Sequence, residues 1–238
     1  MHVSGEHGMA LVVALMVMVL MMALGAALIL ITSSETMIAA NFRAGDEAFY
    51  AADAVFERAL ADLRAVPDWT SVLDGSTRSS FADGQPSGAR RLTDGTTIDL
   101  AQIASMANCQ KLTPCTDTDM SARTSERPWG ANNPRWTLYA YGALADSVGT
   151  VSANSPYYVL AFVGDDPSEN DADPLRDGAS PSGLTNPGLG VLSLRAEAFG
   201  PRRAHRAIEG TVARMSTEGP PEAGGEAGLK ILSWRDVP

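Results

Sequence analysis

Histidine and cysteine are scarce in this sequence, with three of the one and two of the other in 238 residues. Two of the histidines, His2 and His7, lie in the first eight residues, which leaves His205 as the only histidine in the bulk of the chain. No G-x-S-x-G, H-E-x-x-H or glycine-rich phosphate loop occurs, so nucleophilic, metalloprotease and phosphoryl-transfer chemistries lack their usual signatures. His205 sits between strand-like segments beside Arg202, Arg203 and Arg206, neighbours expected to disfavour its protonated form and to offer no acid that would orient a general base. We therefore expect no enzyme, no cofactor and no catalytic residue. Basic residues are also few. With 28 acidic against 18 basic side chains the net charge is −10, and nucleic acid, which needs a basic patch, is not expected as a partner. The one dense basic stretch, "PRRAHR" from Pro201 to Arg206, reads as a solvated hairpin tip.

The cysteines, Cys109 and Cys115 in "CQKLTPC", enclose a short segment with Pro114. In an oxidising compartment such neighbours form a disulfide closing a small loop. Two cysteines without a histidine cannot complete a four-ligand zinc site, and the spacing is not the redox Cys-x-x-Cys.

Charge is missing altogether from Met9 to Ile31. As a helix rising about 1.5 Å per residue this run reaches across the roughly 30 Å of a bilayer core. It is too long for the core of a cleaved secretory signal, although Ala23, Gly25 and Ala26 could imitate a cleavage site. Proline is absent from Met9 to Pro67, so helical patterning continues through "SSETMIAANFRAGDEAFYAADAVFERALADLR". Ile38, Phe42, Phe49, Ala52, Phe56, Leu60 and Leu63 recur in steps of three, four and seven, with Arg43, Asp46, Glu47, Asp53, Glu57, Arg58 and Asp62 between them. One helix is expected, apolar over residues 9–31 and amphipathic over 32–66, ended by Pro67. Gly25 and Gly45 are its weak points, each costing up to about 1 kcal/mol relative to Ala.

Gly8 before the apolar helix, the "GMALVVAL" start, "MIAANFRAGDEAFYAADAVFERAL" and the terminal "LKILSWRDV" resemble the PilX-type minor pilins of type IV pilus systems. The resemblance implies that residues 1–8 are a leader cut between Gly8 and Met9 by a prepilin peptidase, and that Met9 becomes a methylated N-terminus. It implies a single-pass inner-membrane anchor with the head, residues 67–238, in the periplasm until the subunit is drawn into a pilus at the cell surface. Other minor pilins, the major pilin, the inner-membrane assembly platform and a large tip adhesin are the implied partners. Pilin-like proteins usually carry a glutamate at the fifth position after the cut, where it pairs with the N-terminal amine of a neighbouring subunit. Here that position is Val13, which suits a subunit of the priming complex or tip. The leader "MHVSGEHG" has no Lys or Arg, so charge alone weakly opposes the implied orientation. Helix packing through the apolar half, with Gly25, Ala26 and Ala27 allowing close approach, is the expected mechanism. A GspK-like pseudopilin of a type II secretion system and a stand-alone membrane-anchored binding module remain open as alternatives.

Residues 68–130 are rich in Ser, Gly, Asp and Thr, and little regular structure is expected there. From Arg135 the pattern turns to strands: "RWTLYAYGAL", "PYYVLAFVG", "GVLSLRAEAFG", "AHRAIEGTVARM" and "LKILSWR". Leu192, Leu194, Ala196 and Ala198 alternate with Ser193, Arg195 and Glu197, which predicts one buried and one wet face. The expected fold is α+β and pilin-like, with the amphipathic half of the helix on an antiparallel sheet. "MSTEGPPEAGGEAG" reads as a loop before the last strand. The stretch "GDDPSENDADPLRDG" gathers Asp165, Asp166, Glu169, Asp171, Asp173 and Asp177. A solvated acidic loop, contact with a basic partner, and a calcium site using Asp166, Asn170, Asp171 and Asp173 are the readings it allows; the spacing is not that of an EF-hand.

Overall fold

The computed structural model describes residues 7–147, 155–169, 171–178, 188–215 and 228–237. Helix α1 runs from His7 to Ala65, continuous through Gly25 and Gly45, and the chain divides into two compact units after Arg43.

In the first unit the apolar side chains from Met9 to Ile31 are exposed, and the helix is long and apolar enough to cross a membrane. Where the apolar run ends, Thr32, Ser34 and Thr36 turn their hydroxyls onto the carbonyls of Leu28, Leu30 and Thr32 at 2.8–3.0 Å. Each polar group is thereby satisfied within the helix.

The second unit is built on a five-stranded antiparallel sheet in chain order, β3 (Thr137–Ala143), β4 (Tyr158–Asp165), β5 (Val191–Phe199), β6 (His205–Arg214) and β7 (Leu229–Val237). All five strands coincide with the strand-like segments of the sequence. Before them come α2 (Thr70–Leu73), a small hairpin of β1 (Ala89–Arg91) and β2 (Thr97–Asp99), α3 (Leu100–Cys109) and α4 (Asp117–Met120). The chain is thus α+β, a long N-terminal helix with an antiparallel sheet.

On one face of the sheet lies α1, burying Ala48, Ala51, Ala52, Val55, Phe56, Ala59, Leu60 and Leu63 against Val159, Ala161, Val163, Leu192, Leu194, Ala196, Ala198 and Ile208. A Cβ on Gly210 would sit 2.8 Å from the Phe56 ring and 2.8 Å from the Ser233 carbonyl, so only glycine fits there. The buried stripe begins at Ala48. Ile38 and Phe42, expected on the same face, are 68% and 73% exposed, so the helical period continues upstream of the surface it buries.

The opposite face departs from the expected wet one. Around β3 and β4 it is dry: Leu138, Tyr141, Tyr158, Leu160 and Phe162 pack with Leu92 and Leu100, flanked by Ile98, Ile103 and Ala104. Every residue of β4 is therefore buried, the pattern of a strand covered on both sides. The cover comes from residues 89–109, for which little regular structure was expected. Asp94 and Gly95 make the hairpin turn, Gly95 at φ +85° and Asp94 Oδ1 accepting from Thr96 N at 2.9 Å. Asp99 then caps α3 by accepting from the N–H groups of Ala101 and Gln102. The Asn108 side chain completes the attachment, accepting from Trp136 N at 2.8 Å and donating to Trp136 O at 3.0 Å.

Candidate functional site

Three places carry chemistry beyond packing. The first is the exposed half of α1. Gly8 and Met9 lie in its first turns, and Val13, Ala26 and Ala27 are exposed along it, with Gly25 half-buried. Apart from the adjoining residues and the helix's own backbone, nothing lies within 4 Å of where a Cβ on Gly25 would stand. At 3.6 residues per turn Val13 and Gly25 are about 120° apart, so Val13 and the small-residue step lie on different faces.

The second is the polar part of the sheet's far face, where Arg195 is held between two carboxylates, Glu197 at 2.6 Å and Glu209 at 2.5 Å. Arg235 adds a further ion pair to Glu209. His205 opens β6 rather than sitting on the turn, its Nε2 2.9 Å from Glu197 Oε2 and its ring stacked on Phe199 at 4.5 Å. The expectation that arginines would dominate its surroundings is corrected: its partner is the buried carboxylate of Glu197, 3% exposed. Burial alone would push the Glu197 carboxyl up, but His205 and Arg195 outweigh it and hold the carboxyl below the ordinary value. Glu197 and Ser193, expected on a wet face, are both buried. The turn Pro201–Arg203 carries Arg202 and Arg203, both exposed and both at positive φ.

The third is the acidic stretch, which is not a solvated loop. Asp165, the last residue of β4, continues the inward row of Val159, Ala161 and Val163 and is 2% exposed. Asp166 folds the next turn back, accepting from Ser168 N at 2.9 Å and Ser168 Oγ at 2.6 Å, while its carbonyl accepts from Glu169 N at 3.3 Å. Glu169, 4% exposed, is thereby brought over Asp165, and Asn132 Nδ2 donates to its carbonyl at 2.6 Å. Gly188, at φ +74°, closes the side; a Cβ there would fall 1.9 Å from Glu169 Oε2. Oxygens of Asp165, Glu169 and Asp171 lie within 4.8 Å of one another. Burial pushes the carboxyls of Asp165 and Glu169 up, and for Glu169 the neighbouring Asp165 and Asp171 add to it.

The converging trio differs from the set expected from sequence. Of that set only Asp171 belongs; Asp166 is spent on its turn, Asp173 is exposed and accepts from Leu175 N at 3.4 Å, and Asn170 lies outside the described residues. Asp177 is buried and binds Gly190 N at 2.7 Å; burial pushes its carboxyl up against that bond. The missed residues, Asp165 and Glu169, had one readable signal. A period of two from Val159 carries Asp165 inward.

Cys109 and Cys115 are joined in a disulfide with their Cα atoms 6.1 Å apart, linking the end of α3 to the segment before α4. Thr116 caps α4 with a reciprocal bond to Asp119.

Residues 7–57 match the PilX N-terminal family. The chain carries a PilX-type N-terminus. The match ends inside α1, so it takes in the exposed apolar half and most of the buried stripe and none of the sheet. No curated protein and no solved structure gives a significant match. A PilX-type helix, apolar first and amphipathic after, on a head with an antiparallel sheet supports a pilin related to type IV pili.

Proposed function

We propose that the chain is a minor pilin that primes assembly of the type IV pilus and sits at or near its tip, a structural subunit rather than an enzyme. The observation that carries this is Val13 within the PilX-type segment, at the place where pilin-like proteins usually hold a glutamate. Without that carboxylate the subunit loses the attraction that docks it beneath a predecessor, while apolar packing stays intact. It is suited to go first. The prepilin peptidase removes residues 1–8, Met9 is methylated, and residues 9–31 hold the subunit in the inner membrane with the head in the periplasm. The same helix half then packs among the helices of other pilins, and the head remains free for partners.

A GspK-like pseudopilin would usually carry a large helical insertion in its head, and among the described residues α3 is the longest helix after α1. That supports the pilus over the secretion system.

The deciding measurement is the N-terminal mass of the protein from its native membrane, with and without the prepilin peptidase. A peptidase-dependent N-methyl-Met9 is expected, and an intact Met1 or a cut near Ala26 would sink the reading. Deletion of the chain should abolish surface pili while leaving type II secretion unchanged, and gold label on the head should mark pilus ends.

A further inference from the structure

Four carboxylate oxygens are buried close together at one point of the head, where Glu169 faces both Asp165 and Asp171. Among the described residues, neither oxygen of Asp165 has a hydrogen-bond partner, nor do Glu169 Oε2 and Asp171 Oδ2. Asp171 Oδ1 accepts from Asp173 N at 2.9 Å, which fixes the side chain while leaving its other oxygen unused. An ionised carboxylate removed from water is very costly without a counter-charge, and three together repel one another besides. Two observations argue that the gathering is built. The Asp166 turn and Asn132 hold Glu169 in place by its backbone and neighbours, leaving its carboxylate free. Gly188 clears the space into which Glu169 Oε2 projects.

From this geometry we infer that Asp165, Glu169 and Asp171 form a calcium-binding site at the end of β4. The donors are all oxygen, which selects a hard cation over zinc or copper. Oxygens within 4.8 Å of one another can surround a centre at the roughly 2.3–2.6 Å of calcium–oxygen bonds. Magnesium fits less well, because it keeps several waters and takes one or two carboxylates, whereas three carboxylates, two of them buried, can supply up to about six oxygens. The ion would tie the end of β4 to the loop after it, stiffening that end of the head.

The test is calorimetric titration and thermal unfolding of the full-length chain in detergent after chelation. One calcium per chain is expected, with a Kd at or below about 1 mM and a Tm that rises with calcium. Glu169→Gln should weaken binding at least about tenfold and remove the calcium-dependent rise, while Asp173→Asn should change neither. Glu169→Gln keeps the shape of the side chain and should fold; should it not, Asp171→Asn at the half-buried position carries the same expectation. Silence up to about 10 mM calcium, binding that survives Glu169→Gln, or an equal loss in Asp173→Asn would each overturn the site, and a magnesium response as large as that to calcium would overturn the choice of ion.

Discussion

The guanidinium of Arg214, on β6, lies 4.1 Å over the ring of Trp69, just beyond the end of α1. From there it donates to the carbonyls of Val66 and Pro67, the latter at 2.9 Å, while Trp69 Nε1 donates to Leu63 O at 3.1 Å. The end of α1 leaves carbonyls that no residue after Pro67 can satisfy helically. Trp69 serves Leu63 O, and Arg214, from a strand far along the chain, serves the carbonyls of Val66 and Pro67 just past the helix, so the exit from α1 is held against β6.

Arg214→Ala should therefore destabilise the head by about 2 kcal/mol, the order of two charge-assisted hydrogen bonds and a cation–π contact less what water recovers. Urea unfolding of the full chain in detergent measures it. Arg214→Lys keeps the charge without the planar fork and should fall between.

Gly210→Ala tests how closely α1 approaches the sheet. The added methyl meets the Phe56 ring and the Ser233 carbonyl, each at 2.8 Å, and overpacking of this kind costs about 1–3 kcal/mol. The expected result is a lower Tm with faster amide exchange in β7, since the Ser233 backbone must yield.

Glu197 links stability to pH. Its folded-state value lies below the ordinary one, so its contribution is present above the unfolded carboxyl value near about 4.3 and is lost as pH falls through the folded value. Glu197→Gln should cost about 2–4 kcal/mol at pH 7, because it leaves Arg195 short of a buried partner. The gap should close as pH falls through the folded-state value, below which the native carboxyl is protonated as well. Unfolding curves across that range would show it.

Replacing Cys109 and Cys115 together by serine should cost about 2–3 kcal/mol, the chain-entropy value for a short loop. Hydrogen exchange should place the loss at the end of α3 and in α4 rather than in the sheet.

Much of the head was legible from residue pattern. The five strands could be read because each alternates or runs apolar between turn residues, and Pro67 marked the helix end to within two residues. The cover of the far face was not, although its pieces were there: Asp94-Gly95 for the turn and Asp99 for the cap. A ten-residue helix in a polar segment has little signal of its own, and it holds through Asn108, bonded to Trp136 just before β3, and through Leu100, packed on β3 and β4, partners distant in sequence.

The sequence by itself determined the apolar run long enough to cross a membrane, the one long helix, the five strand segments along the chain and the cysteine pair, all set by local period, length and spacing. Tertiary structure alone decided which carboxylates meet. Six acidic residues stand close together from Asp165 to Asp177, yet only Asp165, Glu169 and Asp171 converge. Spacing along a loop does not say which side chains a turn folds inward; that depended on the Asp166 turn, on Asn132 and on the space left by Gly188.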